Sequence, residues 1–354
     1  MSEIIRIGID TSKSVFQLHG VSASEAPVLK KKLRRSQLVP WLAKLGPTKI
    51  GIEACGGSHH LARTLKALGH EVVLVPPQYA KPYVARGKND AADAEAICEA
   101  MSRPKVQKRF VAVKAVEQQA GQMLVGTREQ LVRRRTQISN AMRGYATEFG
   151  HVAPKGLAHL DALLLRIEED TETPELAKEL FRLHRAQFAH VQVQLREVEA
   201  RLMAFHRHNE LSRRLVQIPA LGPIGATLLA VKVGDPKAFK SGRNFAAWLG
   251  LTPKDHSTAG KYRLGGITRA GDESLRSTLV VGAMAVIQQL KRGNSRHASP
   301  WLIELLKRKP PKLVAVALAS KTARIAWKLM ASGEPYNPRK SAPQRKPDSF
   351  KEAA

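Results

Sequence analysis

Two hydrophobic rhythms divide the chain. Up to about residue 112, short apolar runs bounded by turn residues alternate with amphipathic stretches, and beyond 115 only helical spacing remains. IIRIGID (4–10) is a β-branched run, and SVFQLHG follows it after TSK, which predicts strand, turn, strand. Residues 27–33 predict a third strand, and KIGIE (49–53) and HEVVLVPP (70–77) two more, the last stopped by its prolines. SQLVPWLAKL predicts a helix with Pro40 in its first turn or at a break. Residues 58–69 predict an amphipathic helix closed by Gly69, and residues 89–101 a further helix. Strands alternating with helices predict an α/β domain over 1–112.

The remainder reads as helix. Residues 115–149 are rich in Arg and Gln, a loop with Pro154 and Gly156 follows, and 174–208 form a second long helix. There Val191, Leu195, Val198, Leu202 and Phe205 are spaced 4, 3, 4, 3, and Leu176, Leu180 and Leu183 keep that spacing one residue out of phase. Such a seam predicts a coiled coil over 113–212 that builds a homo-dimer or tetramer, although a two-helix hairpin folded on itself gives the same pattern. A mainly α-helical unit, 213–335, opens with LVQIPALGPIGATLLAVKVGD, whose helix, turn and helix resemble a helix-hairpin-helix that aims backbone N–H groups at phosphates; a plain helix turn fits equally. A polar loop, KDHSTAGKYRLGGITRAGDESLR, precedes helices at 274–290 and 312–331, and a basic tail, 336–354, is expected to be disordered.

Composition narrows the function. Of 354 residues, 58 are Lys or Arg and 30 are Asp or Glu, so the chain carries +28 and calls for a polyanion, most simply nucleic acid. Aromatics are only 5%, which gives no sign of a base-stacking platform. The two cysteines, Cys55 and Cys98, are too few for a disulfide framework or zinc ribbon and suit a reducing compartment. MSEIIRIGID enters a strand without an apolar leader, and no apolar run is long enough to span a membrane. A cytoplasmic, nucleoid-associated protein is the expectation.

The acids that remain fall in telling places. Asp10 and Glu53 end two predicted strands, where α/β sheets gather functional groups, and Asp90 and Asp93 share one helix face. Four carboxylates brought together repel unless cations separate them. Mg²⁺ or Mn²⁺ turns them into a hard oxygen site with positions open for phosphate oxygens, and a pair of such ions can stabilise both oxygens exchanged in phosphodiester cleavage. Taken singly, each acid also has an ordinary explanation as a helix-dipole or surface group. Basic residues cluster elsewhere: Lys254, Lys261, Arg263 and Arg269 in the polar loop, and Lys291, Arg292, Arg296, Lys307, Arg308, Lys309 and Lys312 against one acid, Glu304. They are expected to neutralise phosphates.

IGIDTSK, IEACGG and KNDAADAEAI resemble the Asp, Glu, Asp, Asp signature of RuvC-like, ribonuclease-H-type nuclease domains. IPALGPIGATLLA, FKSGRNFAAWLGLTP and HSTAGKYRLGGITRAGDESLR resemble the C-terminal domain of the DEDD insertion-sequence transposases, the IS110 family, which also holds the pilin-gene invertases. The resemblance runs from about 4 to 335. It implies a recombinase acting on donor and target DNA, with metal ligands at Asp10, Glu53, Asp90 and Asp93. It further implies a serine that forms a covalent link to DNA, the two parts of the site coming from different subunits, and a guiding bridge RNA. The serine maps to Ser257, with Thr258 as a second hydroxyl beside it; Ala259 stands where the family more often has glycine. No GxxxxGK[ST] is present, in keeping with strand exchange that conserves phosphodiester energy. Two rivals remain: a RuvC-like endonuclease using water, and a non-catalytic RNA- or DNA-binding protein.

Overall fold

The computed structural model describes residues 3–84, 90–107, 109–258, 261, 263–294 and 299–337. The chain forms two compact units, one of residues 1–116 with 233–238 and one of 117–232 with 239–354.

The first unit is a mixed α/β sheet with helices. Its elements run β1 (Arg6–Thr11), β2 (Val15–Val21), β3 (Pro27–Arg34), α1 (Arg35–Leu42), β4 (Lys49–Glu53), α2 (Ser58–Ala67), β5 (Glu71–Val75), α3 (Pro77–Ala80), α4 (Asp90–Ser102) and α5 (Pro104–Gln107). The sheet order is β3–β2–β1–β4–β5: the first three strands form an antiparallel meander, and β4 and β5 add in parallel beside β1. This is consistent with the ribonuclease-H-type reading. Pro40 sits in the last turn of α1 rather than at its start or at a break, since a helix of only eight residues has little left to lose there.

Strand alternation gives the sheet two different faces. Ile7, Ile9, Ile50, Ile52, Val72 and Leu74 are buried against Leu38, Leu42, Ala62 and Leu65 of α1 and α2. The alternate positions face α4. Val75 packs on Ile97, Ala100 and Met101, but β1 and β4 present glycines there. A Cβ on Gly8 would stand 2.5 Å from the Cys98 amide nitrogen and closer still to the Ala94 carbonyl oxygen; one on Gly51 would meet the end of the Met101 side chain. The helix backbone therefore rests directly on β1. Arg6, buried at the start of β1, fastens the same helix: its Nε donates to the Cys98 carbonyl (2.9 Å), and its guanidinium pairs with Glu25.

The second unit is mainly helical. It holds α6 (Val116–Glu148), α7 (Leu160–Glu169), α8 (Glu175–His208), α9 (Glu210–Leu215), α10 (Pro223–Lys232), α11 (Gly242–Trp248), β6 (Pro253–Asp255), β7 (Leu264–Ile267), α12 (Glu273–Lys291), α13 (Pro300–Arg308) and α14 (Pro311–Ser332). The seam expected to join two copies is closed within the chain. Val191, Leu195 and Val198 of α8 pack on Leu131, Leu124, Val132 and Ile138 of α6, and further along Phe181 and Phe188 meet Met142 and Ala146. That is the antiparallel hairpin, the other arrangement the spacing allowed, and one face of α6 carries the matching apolar residues. Leu176, Leu180 and Leu183 remain exposed. α7, which had been read as part of a loop, closes the far end with Leu160, Leu163, Leu164 and Ile167. α10 is buried on nearly every side from Gly225 to Val231, whereas Gly222 in the turn before it is exposed. Among the described residues no helix is long and apolar enough to cross a membrane. From residue 338 on, the basic tail lies outside the described residues.

Candidate active site

The parallel register of β1 and β4 ends with Ile9 opposite Ile52, so Asp10 and Glu53 leave adjacent strand ends side by side. Because Gly8 and Asp10 share a face, the acid points to the side that α4 covers. Asp90 and Asp93 fall in the first turn of α4, and both reach Asp10: the three residues offer carboxylate oxygens that lie within 4.8 Å of one another. Glu53 is outside this tight group, although its charge acts on Asp10. Three of the four expected carboxylates are thus gathered and the fourth is a neighbour. Lys88 and Asn89 of the same motif lie outside the described residues.

Asp10 carries the electrostatic cost of this gathering. Burial first, and then the charges of Asp93, Asp90 and Glu53, push its carboxyl up to about 6. Beside it, Thr11 Oγ1 and Cys55 Sγ approach to 2.9 Å.

Ser257 follows β6, in the hairpin that β6 makes with β7. The sequence reading had a loop here because PKD and LGGI are too short and too polar to read as strands. The Ser257 N–H donates to Asp255 Oδ1 (2.9 Å), and its Oγ accepts from the Arg263 N–H (3.1 Å). The Ser257 hydroxyl and N–H together hold the Asp255 carboxyl below its ordinary range, so Asp255 orients the serine and is a poor proton acceptor. His256 belongs to the hairpin through its N–H to the Arg263 carbonyl (2.9 Å). Thr258 is exposed and pairs with Lys261; Ala259, Gly260 and Tyr262 lie outside the described residues. The base of the hairpin is fixed by Gly271, with φ +77, where any Cβ would collide with the Trp248 carbonyl. Arg276 donates there to the carbonyls of Leu249 (3.2 Å) and Ala270 (3.1 Å).

The basic candidates are surface groups. Lys254, Lys261, Arg263 and Arg269 are exposed on and beside the hairpin, and Lys291, Arg292, Lys307, Arg308, Lys309 and Lys312 are exposed on or next to α12, α13 and α14. Lys307 pairs with Glu304 (2.7 Å), and Arg296 lies outside the described residues. What sequence reasoning missed is the pair of glycines. Gly8 and Gly51 each stand two residues before an acid, a Gly-x-acid spacing repeated on two strands that was visible in IGID and IGIE.

Comparison with known proteins bears directly on this arrangement. A family model described as a transposase, of the DEDD IS110 type, matches residues 7–150, and one described as "Transposase IS116/IS110/IS902 family" matches 212–298. "Putative transposase y4pF/y4sB" of Sinorhizobium fredii is 63% identical over 336 residues, covering 95% of this chain and 86% of the relative. The chain belongs to the IS110-type transposase family. The transposase for insertion sequence element IS1328 of Yersinia enterocolitica is 39% identical, over 95% of this chain and all of the relative (100%). A pilin gene-inverting protein of Moraxella bovis is 26% identical over 137 residues, 37% of this chain and 40% of the relative. Membership makes the chain an insertion-sequence transposase, an enzyme that cuts and rejoins DNA. The first family model spans all four acids, and the second spans Ser257.

Proposed function

We propose that this transposase cuts and rejoins donor and target DNA with Ser257 as nucleophile, while Asp10, Glu53, Asp90 and Asp93 hold Mg²⁺ or Mn²⁺. The observation that carries the metal half is the gathering of Asp10, Asp90 and Asp93 oxygens within 4.8 Å. An all-oxygen donor set, in which Asp10 is driven to keep a proton, fits a hard divalent cation that displaces the proton and ends the repulsion. Bound there, such an ion withdraws negative charge from a phosphate oxygen.

The chain's own residues supply the rest. The Ser257 oxygen attacks phosphorus, the ester bond to the departing strand breaks, and that strand leaves as a hydroxyl with the proton Ser257 gives up. The phosphoserine link keeps the ester energy. A hydroxyl of another strand then attacks the same phosphorus and returns Ser257 with its proton, so no bond is lost to water and no ATP is needed. Lys254, Lys261, Arg263 and Arg269 hold the backbone near the serine, and Lys291, Arg292, Lys307, Arg308 and Lys309 extend the contact. A bridge RNA as guide, and an assembly of two or four copies through the helical region, rest on the family resemblance.

The test uses purified protein, Mg²⁺, the element's end DNA and its flanking non-coding RNA. A protein–DNA adduct on a denaturing gel is expected with wild type and Thr258→Ala, and is lost in Ser257→Ala or without Mg²⁺. Hydrolysis by water is the second reading, favoured by the Ser257 hydroxyl being already engaged by the hairpin. Cleaved DNA without any adduct, undiminished in Ser257→Ala, would establish it instead.

A further inference from the structure

A cavity of about 360 Å³ opens between α13, α14 and the segment that follows α14. Its chemistry is uneven. Lys321, Arg324 and Lys328 are spaced 3 and 4 along α14 and so share one face, and they line the cavity together with Trp301 of α13. Ile325 and Leu329 give it an apolar floor. Among the described residues no ion pair engages these three cations. Among the described residues Glu334 is the one acid in the lining.

The walls are built. Gly333, at φ +74, ends α14 and turns the chain back, so that Glu334, Pro335 and Asn337 close one side. The Arg214 guanidinium pins this turn by donating to the carbonyls of Leu329 and Glu334, both at 3.1 Å. Opposite, the Lys321 ammonium sits 4.7 Å from the centre of the Trp301 ring. Burial, and then the charge of Arg324, lowers the Lys321 pKa, so the charged lysine gains from an anion placed between the two.

We propose that this cavity takes one unpaired nucleotide of a nucleic-acid strand, its phosphates against Lys321, Arg324 and Lys328 and its base against Trp301. The volume lies at the lower end of small-ligand pockets and suits a single nucleotide, while a duplex presents its bases stacked and paired inside. Cations that no ion pair engages among the described residues, set over an apolar, aromatic floor, match a phosphate joined to a base better than a free phosphate, which has no use for the floor. The 5% aromatic content gave no hint of this, because one tryptophan in the right place is enough. The proposal rests on the reading of the chain as a nucleic-acid enzyme and adds to it a place for a strand that has left its partner.

The full chain is tested by fluorescence anisotropy with a labelled oligothymidylate, an oligouridylate of equal length and a mixed-sequence duplex. Trp301→Leu is expected to weaken single-strand binding roughly tenfold and leave duplex binding unchanged, and Trp301→Phe, which keeps a ring, to retain most of it. Lys321→Gln with Lys328→Gln is expected to lower the single-strand salt slope by about 1.4, at about 0.7 for each phosphate. The oligonucleotide that loses more identifies the strand as DNA or RNA. If folded variants, checked by circular dichroism, bind single strands as wild type does and at the same slope, the pocket proposal fails while duplex binding stands. If wild type binds none of the three probes, both the proposal and the nucleic-acid reading beneath it fail.

Discussion

Gly8→Ala isolates the contact that brings the carboxylates together. The new Cβ would lie 2.5 Å from the Cys98 amide nitrogen and 2.9 Å from the Cys98 Cβ, against the backbone of α4 rather than a movable side chain. Restoring ordinary contact needs α4 to retreat by about 1 Å, since non-bonded heavy atoms settle near 3.5 Å. Overpacking of this kind costs about 1–3 kcal/mol, and reduced freedom of the unfolded chain returns about 0.4–1 kcal/mol, leaving a net loss centred near about 1.3 kcal/mol and at most about 2.6 kcal/mol. Metal ligands tolerate only about 0.2 Å, so the same retreat carries Asp90 and Asp93 away from Asp10 and is expected to raise the Mg²⁺ midpoint at least tenfold. Gly51→Ala is the comparison, because its Cβ meets the flexible Met101 side chain (Cγ at 2.8 Å) rather than helix backbone. Urea unfolding with and without Mg²⁺, alongside a thermal-shift titration, reads both quantities. Wild-type stability and an unchanged Mg²⁺ midpoint in Gly8→Ala would refute the reasoning, as would equal damage from Gly51→Ala.

Asp10 keeps its proton to about pH 6 when folded and releases it near the ordinary carboxylate value when unfolded. The folded state therefore binds more protons between those values, and metal-free stability should fall as pH rises through that window, with Mg²⁺ flattening the curve; a rise measured by urea unfolding would contradict this. Asp10→Asn should stabilise the metal-free protein at pH 7 by about 1 kcal/mol after solvent screening, and abolish the Mg²⁺-induced shift in Tm. Ser212 bridges His206 Nδ1 (2.7 Å) and Thr227 Oγ1 (3.0 Å) in the core, so Ser212→Ala should cost about 1–3 kcal/mol in chemical denaturation. Lys254→Gln with Arg263→Gln should reduce the salt slope of duplex binding by up to about 1.8, and an unchanged slope would remove the hairpin from the DNA contact.

The first unit was legible because its strands announce themselves. IIRIGID, KIGIE and EVVLV are β-branched runs between turn residues, and the acids at the ends of the first two follow from that placement. The long helices were legible from their spacing, but spacing alone does not name the partner, and α6 filled the seam of α8. The β6–β7 hairpin was hidden because its backbone pairing rests on turn geometry and Asp255 rather than on apolar alternation. α13 was read only as part of a basic stretch, although Ser299 accepting from the Leu302 N–H and Pro300 in the first turn mark its start. Glu53 was expected within the carboxylate group and lies beside it; side-chain reach of this kind is set by rotamers, which a sequence does not carry.

A helix seated backbone on backbone has no soft layer beneath it. Side chains between α4 and β1 would yield under load and let the ligands adjust; the absent Cβ of Gly8 removes that compliance. The seat then acts as a caliper, limiting how far the first turn of α4 can move from Asp10. If these acids hold a metal as proposed, such a seat would favour an ion that takes oxygens at about 2.0–2.1 Å, as Mg²⁺ does, over one that takes them at about 2.3–2.6 Å, as Ca²⁺ does.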